Sequence, residues 1–194
     1  MNKAFLISPS GFSELKNLKK AKKFLKSLKF NVEYKKDILS KYLYYAGDFR
    51  RRAEEINTAY SSNAEVIFSL IGGGGAVHVL DYLDFDNIKK SNKILVGLSD
   101  VTILLNTIYQ KTEARCIHSM NIGKTHKFHK KTIKSFLDAL YKRNYFIKIK
   151  ENQILNQGYS KAKIVGGNLE LLGRSLGTGF VIDTKGKIIF LEDY

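Results

Sequence analysis

The sequence predicts an α/β fold, an open and mostly parallel sheet flanked by helices, followed by an incomplete, smaller β-rich C-terminal domain. Unbroken apolar runs such as "VIFSLI" and "KILVG" are typical of strands buried on both faces. Segments with helical spacing separate these runs, which favours parallel strands joined by right-handed crossovers. We expect an α/β domain over residues 1–120, an interdomain connection over 121–158, and the start of a truncated C-terminal domain over 159–194.

Each element has a local signal. The turn "SPSG" ends the first strand, and Ser13 can cap the helix that follows. The alternation in "NYFIKIKENQILNQGYSKAK" predicts an edge strand or hairpin, and the glycine pair in "KIVGGNLELLG" predicts a turn between a strand and a short helix. In chain order, we expect strands at "KAFLI", "FNVEY", "EVIFSLI", "KILVG", "ARCIHSM" and "GKIIFLEDY", and helices at "ELKNLKKAKKFLKSLKF", "DFRRRAEEINTAY", "AVHVLDYL", "VTILLNTIYQK" and "TIKSFLDALYKR".

The composition is that of an ordinary globular chain. Its 194 residues are 44% apolar and 26% charged, which excludes a disordered protein. The N-terminal "MNKAFLISPSG" has too short an apolar run for a signal peptide, and no run approaches the ~18 residues of a membrane span. The single cysteine, Cys116, lies in an apolar run, as a buried reduced thiol would. We therefore expect a cytoplasmic protein that does not associate with membranes.

The formal net charge of +15 raises the question of nucleic-acid binding. The excess is mostly lysine spread along the chain, and in "ELKNLKKAKKFLKSLKF" the lysines lie opposite an apolar stripe, as in a solvated amphipathic helix. No RNA- or DNA-binding signature accompanies the charge. We therefore expect no dedicated nucleic-acid site.

Polar residues and glycines follow three predicted strands at their carboxyl ends, where open parallel sheets bind ligands. Gly72–Gly75 follow "VIFSLI", Ser99 and Asp100 follow "ILVG", and His118 follows "RCI". The glycine run matches no phosphate-binding motif. It is either a flexible turn or a place where the backbone approaches a substrate closely.

Several of these residues have two interpretations. Ser99 or Asp100 caps the following helix, or Ser99 is a nucleophile on a tight strand-to-helix turn with amides ready for an oxyanion. His118 is structural or a base, and Glu192 is a surface acid or a carboxylate that orients an imidazole. The spacing of histidines and the single cysteine predict no metal site.

The segments together resemble the LD-carboxypeptidase family of serine peptidases, which includes the microcin C immunity peptidases. The similarity extends from "ISPSG" through "AGDFRRRAEEINTAY" and "GGGGAVHVLDYLDFD" to "GLSD", "GGNL" and "LED", nearly the whole chain. The resemblance implies that Ser99 is the nucleophile and Glu192 the acid of a Ser-His-Glu triad. It also implies an oxyanion hole and substrate-binding site formed by Asp100, Gly72, Gly73, Asn168 and His118.

The resemblance further implies hydrolysis of the bond before the terminal D-alanine of a murein tetrapeptide, during cytoplasmic peptidoglycan recycling. The enzyme would be a homodimer and need neither metal nor cofactor. The family's catalytic histidine lies downstream of "LED", so we expect this chain alone to be nearly inactive. Ile71 stands where carboxypeptidase members often have arginine, and "HSMN" replaces their "HGP". The alternatives are an immunity-type peptidase that cleaves peptidyl-nucleotides and a non-catalytic peptide-binding remnant.

Overall fold

The computed structural model describes residues 2–124, 128–142 and 145–193. Its larger sheet is fully parallel, with the strand order β2-β1-β3-β4-β5. The strands are β1 (Asn2–Ile7), β2 (Phe30–Tyr34), β3 (Val66–Ser69), β4 (Ile94–Gly97), β5 (Cys116–His118), β6 (Ile164–Asn168) and β7 (Ile188–Glu192). The α-helices are α1 (Leu15–Ser27), α2 (Phe49–Ser61), α3 (Phe85–Lys90), α4 (Thr102–Thr112), α5 (Lys130–Tyr141) and α6 (Leu169–Ser175), and 3₁₀ helices span Ala76–Tyr82, Ser99–Val101 and Glu151–Gln153.

Helices cover both faces of the sheet, because successive strand residues point to opposite sides. In β3, Ile67 belongs to the apolar cluster that includes α2 and α4, whereas Phe68 belongs to the cluster that includes α1 and α5. The predicted open parallel sheet flanked by helices is therefore confirmed. No described helix combines the length and apolarity that a membrane crossing requires.

The C-terminal segment differs from the local predictions. Strands β6 and β7 form a separate two-stranded parallel sheet. Gly166 and Gly167 lie inside β6 with φ of 134° and 137°, and not in a turn. The edge strand or hairpin predicted from "NYFIKIKENQILNQGYSKAK" is wrong, because the described residues 145–163 contain only the 3₁₀ turn Glu151–Gln153.

One further side chain departs from expectation. Ser13 does not cap α1, because Glu14 occupies the N-cap position and makes no side-chain cap bond.

Cys116 is unpaired, and burial raises the pKa of its thiol to about 12. A thiol whose pKa is raised in this way is a poor nucleophile.

A buried carboxylate joins α2 to the end of β1. The Glu55 side chain is fully buried, and its Oε2 accepts a hydrogen bond from the Ser8 amide at 2.7 Å. Its Oε1 accepts from Arg51 Nη2 at 2.7 Å, and Arg51 also contacts Asp37. Burial raises the pKa of Glu55 to about 7, against the opposing effects of Arg51 and the Ser8 amide.

Replacing Glu55 with glutamine should change how stability depends on pH. The folded pKa of about 7 lies above the ordinary 4.5, so the folded state binds this proton more tightly than the unfolded state does. The resulting stabilisation is complete below pH 4.5 and is lost as pH rises through 7. Over that interval wild type should lose up to about 3 kcal/mol of unfolding free energy relative to Glu55→Gln. Urea unfolding at several pH values measures this, and parallel profiles for the two proteins would contradict it.

Candidate active site

Ser99 lies on a tight turn between β4 and α4. Its φ is 62°, in the left-handed region that costs a residue with a side chain about 1–3 kcal/mol. Gly97 permits the turn, because a Cβ there would lie 2.4 Å from Val101 Cγ1. The capping interpretation is wrong, since Val101 occupies the N-cap position of α4 without a side-chain bond. Half-buried Ser99 is thus presented on a strained strand-to-helix turn.

The glycine loop, residues 72–75, passes directly beside Ser99. A Cβ on Gly72 would lie 3.0 Å from Ser99 Cβ and 3.3 Å from Ser99 Oγ. The Gly11 amide donates to the Gly72 carbonyl at 3.2 Å, and a Cβ on Gly73 would lie 3.0 Å from Gly11. These contacts favour close backbone approach over a merely flexible turn.

Three main-chain N–H groups near Ser99 have no hydrogen-bond acceptor in the described part of the chain. Among the described residues, nothing accepts a hydrogen bond from the amides of Asp100, Gly72 or Gly73. Because the peptide bonds are trans, fixing the Gly72 carbonyl toward Gly11 directs the Gly73 N–H to the opposite side. Such unpaired amides beside a hydroxyl are suited to receive the negative charge of an oxyanion.

A cavity of about 500 Å³ adjoins the glycine loop. One side carries apolar groups of Val77, Ile103 and Leu171, and the polar lining includes His78 and the exposed ion pair of Arg174 with Glu170. The cavity lies between the loop after β3 and helix α6, next to Asp100. It is therefore of the size of a small-molecule pocket, and it adjoins the residue that follows Ser99.

His118 and Glu192 meet across the two sheets. His118 Nε2 lies 3.4 Å from Glu192 Oε1, but this buried nitrogen makes no well-aligned hydrogen bond. The imidazole packs against Phe190 with ring centroids 5.6 Å apart, and a Cβ on Gly167 would lie 3.0 Å from its Cδ2. Burial lowers the pKa of His118, against the opposing effect of Glu192. These surroundings favour the neutral form of the imidazole.

No imidazole is hydrogen-bonded to Ser99 Oγ within the ranges that the structure describes. The predicted site residues therefore divide into two groups. Ser99, Asp100, Gly72 and Gly73 come together at one edge, and His118 pairs with Glu192.

Asn168 links the small sheet to the turn after Ser99. Its amide donates to Thr102 Oγ1 at 3.1 Å, and its side-chain oxygen caps α6 by accepting from the Leu171 amide at 3.2 Å. Its Nδ2 lies 3.4 Å from Asp193 Oδ1. These contacts hold Asn168 between the start of α4 and the start of α6.

Arg52 is a further buried residue of the site that no sequence motif marks. Its guanidinium Nη1 donates to the carbonyls of Pro9 and Gly75, each at 2.7 Å. Three consecutive arginines begin α2, and only the structure distinguishes the buried Arg52 from exposed Arg50. Elsewhere in the described ranges, no cluster of three or more histidine, cysteine or acidic side chains is arranged to bind a metal.

Comparisons with known proteins agree in family and in fold. The LD-carboxypeptidase N-terminal domain matches residues 5–119, and the LD-carboxypeptidase C-terminal domain matches residues 161–194. A Bacillus subtilis (strain 168) protein named "Probable murein peptide carboxypeptidase" is 31% identical over 198 residues, covering 97% of this chain and 61% of the relative. The Escherichia coli "Microcin C7 self-immunity protein MccF" is 28% identical over 183 residues, covering 77% of this chain and 53% of the relative.

A solved structure of MccF in complex with aspartyl sulfamoyl adenosine has a TM-score of 0.83 at 25% identity. The alignment covers 99% of this chain and 68% of that chain. The chain spans 61% and 53% of the two curated relatives' lengths.

Substituting Gly72 with alanine should impair the reactivity of Ser99. The new Cβ would displace the Ser99 side chain or the loop, so we expect phosphonylation of Ser99 by a fluorophosphonate, with free imidazole present as the base, to slow at least about tenfold. Gly74→Ala is the matched control, because a Cβ there meets nothing within 4 Å. Intact-mass spectrometry measures both rates, with Ser99→Ala identifying the labelled residue. Equal rates for the two glycine variants would contradict the close-approach interpretation.

Proposed function

This chain belongs to the LD-carboxypeptidase family, and from that premise we propose that it carries the nucleophile and oxyanion hole of a serine peptidase. One observation carries the proposal: Ser99 occupies a left-handed turn against a glycine loop, beside amides without internal acceptors. Backbone strain of this kind persists where the surrounding structure enforces it, commonly at functional sites.

In the proposed mechanism, Ser99 Oγ attacks the scissile carbonyl while a base removes its proton. The amides of Asp100 and the glycine loop stabilise the negative oxygen of the tetrahedral intermediate. The C–N bond then breaks, and the amine leaves with the proton that the base had taken. Water hydrolyses the acyl-enzyme by the reverse proton transfers. Glu192 orients the base and stabilises its charged form.

The proposed substrate is a murein tetrapeptide, from which the enzyme removes the terminal D-alanine in cytoplasmic peptidoglycan recycling. The Bacillus subtilis relative supports this substrate through its name. The cavity beside the glycine loop supports it through its mixed apolar and charged lining. Homodimerisation belongs to the proposal on the family resemblance alone.

Cleavage of a peptidyl-nucleotide is the second candidate function. It is supported by the likeness to MccF, whose solved complex contains aspartyl sulfamoyl adenosine. Position 71 is an isoleucine buried in the core, and so it offers no guanidinium that could bind a carboxylate substrate.

Parallel assays should favour D-alanine release from the tetrapeptide over hydrolysis of a peptidyl-adenylate mimic. Mass spectrometry of both reactions measures this, and turnover of the adenylate alone would assign the immunity-type activity.

We also propose that this chain alone has little hydrolytic activity. A serine hydroxyl is a weak nucleophile without a base, and a positioned base contributes about 10²–10⁴ in rate. Glu192 instead contacts His118, whose imidazole makes no hydrogen bond to Ser99 within the described ranges.

Free imidazole should partly restore hydrolysis by the 194-residue chain. It can act as a diffusible base for Ser99, so we expect D-alanine release to rise about tenfold, less than a positioned base supplies. The increase should vanish in Ser99→Ala and fall in Glu192→Gln. Liquid chromatography of released D-alanine, with Glu170→Gln as an acidic control from α6, measures it. Rapid release without imidazole would show that the chain already positions a base. Tight tetrapeptide binding without product under both conditions would favour a non-catalytic binding protein.

A further inference from the structure

Arg52 is an unusually enclosed charge. It is 1% exposed and lies on α2, with its Cζ 5.0 Å from the centre of the Tyr45 ring. Burying a guanidinium is costly unless its donors are paired. Its closest acceptors are carbonyls, those of Pro9 and Gly75 at 2.7 Å and that of Asp48 at 3.3 Å. The Arg52 side chain thus donates these hydrogen bonds to main-chain carbonyls.

The peptide group between Gly75 and Ala76 is hydrogen-bonded to two buried side chains of opposite charge. The Gly75 carbonyl accepts from Arg52 Nη1, and the Ala76 N–H of the same peptide donates to Asp100 Oδ2 at 2.8 Å. The cation lies at the negative end of the peptide dipole and the anion at the positive end. Both contacts are therefore favourable, and together they fix the orientation of this peptide.

The same guanidinium joins the two loops beside Ser99. Through Pro9 it contacts the loop after β1, and the Gly11 amide of that loop fixes the Gly72 carbonyl. The glycine loop is consequently anchored at both ends, by Gly11 at its start and by Arg52 with Asp100 at its close. Asp100 also follows Ser99 directly, so its backbone amide moves with its anchored side chain.

We propose that Arg52 is a positioning residue that, with the Asp100 carboxylate, sets the geometry of the oxyanion hole before substrate binds. The inference rests on the proposed function of Ser99 and the adjoining amides. Arg52 itself touches neither the substrate nor the reacting atoms. It restricts the motion of the oxyanion-hole amides, so that they point toward the site of the developing negative charge before substrate binds.

The test compares Arg52→Met with Arg50→Met, which removes the exposed neighbouring arginine. With free imidazole present as the base, saturation kinetics of Ser99 phosphonylation should show a maximal rate at least about tenfold lower in Arg52→Met, with the inhibitor concentration at half-saturation within about twofold of wild type. Hydrogen exchange should show faster exchange of the Ala76 amide. Arg50→Met should match wild type in both measurements.

Arg52→Lys keeps the test decisive if Arg52→Met does not fold. It retains the charge but not the planar fork, so we expect intermediate values of both the rate and the Ala76 exchange. Wild-type values of both in a folded Arg52 variant would overturn the inference. If wild-type Ser99 is not labelled even with free imidazole present, the proposed function fails separately, and Ala76 exchange alone decides whether Arg52 fixes the loop.

Discussion

The left-handed backbone of Ser99 is the constraint on which the site depends. Its φ of 62° is strained for a residue with a side chain, and neighbouring glycines make room for it. Gly97 lets the helix start pack against the end of β4, and Gly72 lets the next loop pass beside the hydroxyl. A side chain at either glycine would collide with the turn. The conformation therefore depends on the packing of two consecutive strand-to-helix connections.

Sheet topology places those connections together. Because β3, β4 and β5 are adjacent and parallel, the glycine loop, Ser99 and His118 all lie at one edge. Charged groups then fix the local geometry, since Arg52 and Asp100 bind opposite sides of the peptide that closes the glycine loop. The small sheet adds Glu192 beside His118. The sheet topology thus brings the site residues to one edge, and buried polar contacts orient the peptide groups there.

The parallel sheet and the shared edge could be predicted because apolar runs and their order carry that information along the chain. Other features depend on tertiary contacts that no local pattern encodes. Gly166 and Gly167 resemble a turn pair, yet they lie in β6, where Gly167 leaves room for Thr102 and His118. Asp100 resembles a helix cap, but its carboxylate binds the Ala76 amide instead. Arg52 could not be distinguished from its neighbouring arginines, because only its burial separates them.

The central claim is that Ser99 and the adjoining amides form a preorganised site for a tetrahedral oxyanion. A crystal structure of the chain after reaction with a peptidyl fluorophosphonate, with free imidazole supplied as the base, tests this most directly. The account predicts a bond between Ser99 Oγ and phosphorus, with the phosphoryl oxygen about 2.7–3.1 Å from the amides of Asp100 and Gly73. A phosphoryl oxygen directed into solvent, or a modified residue other than Ser99, would contradict it.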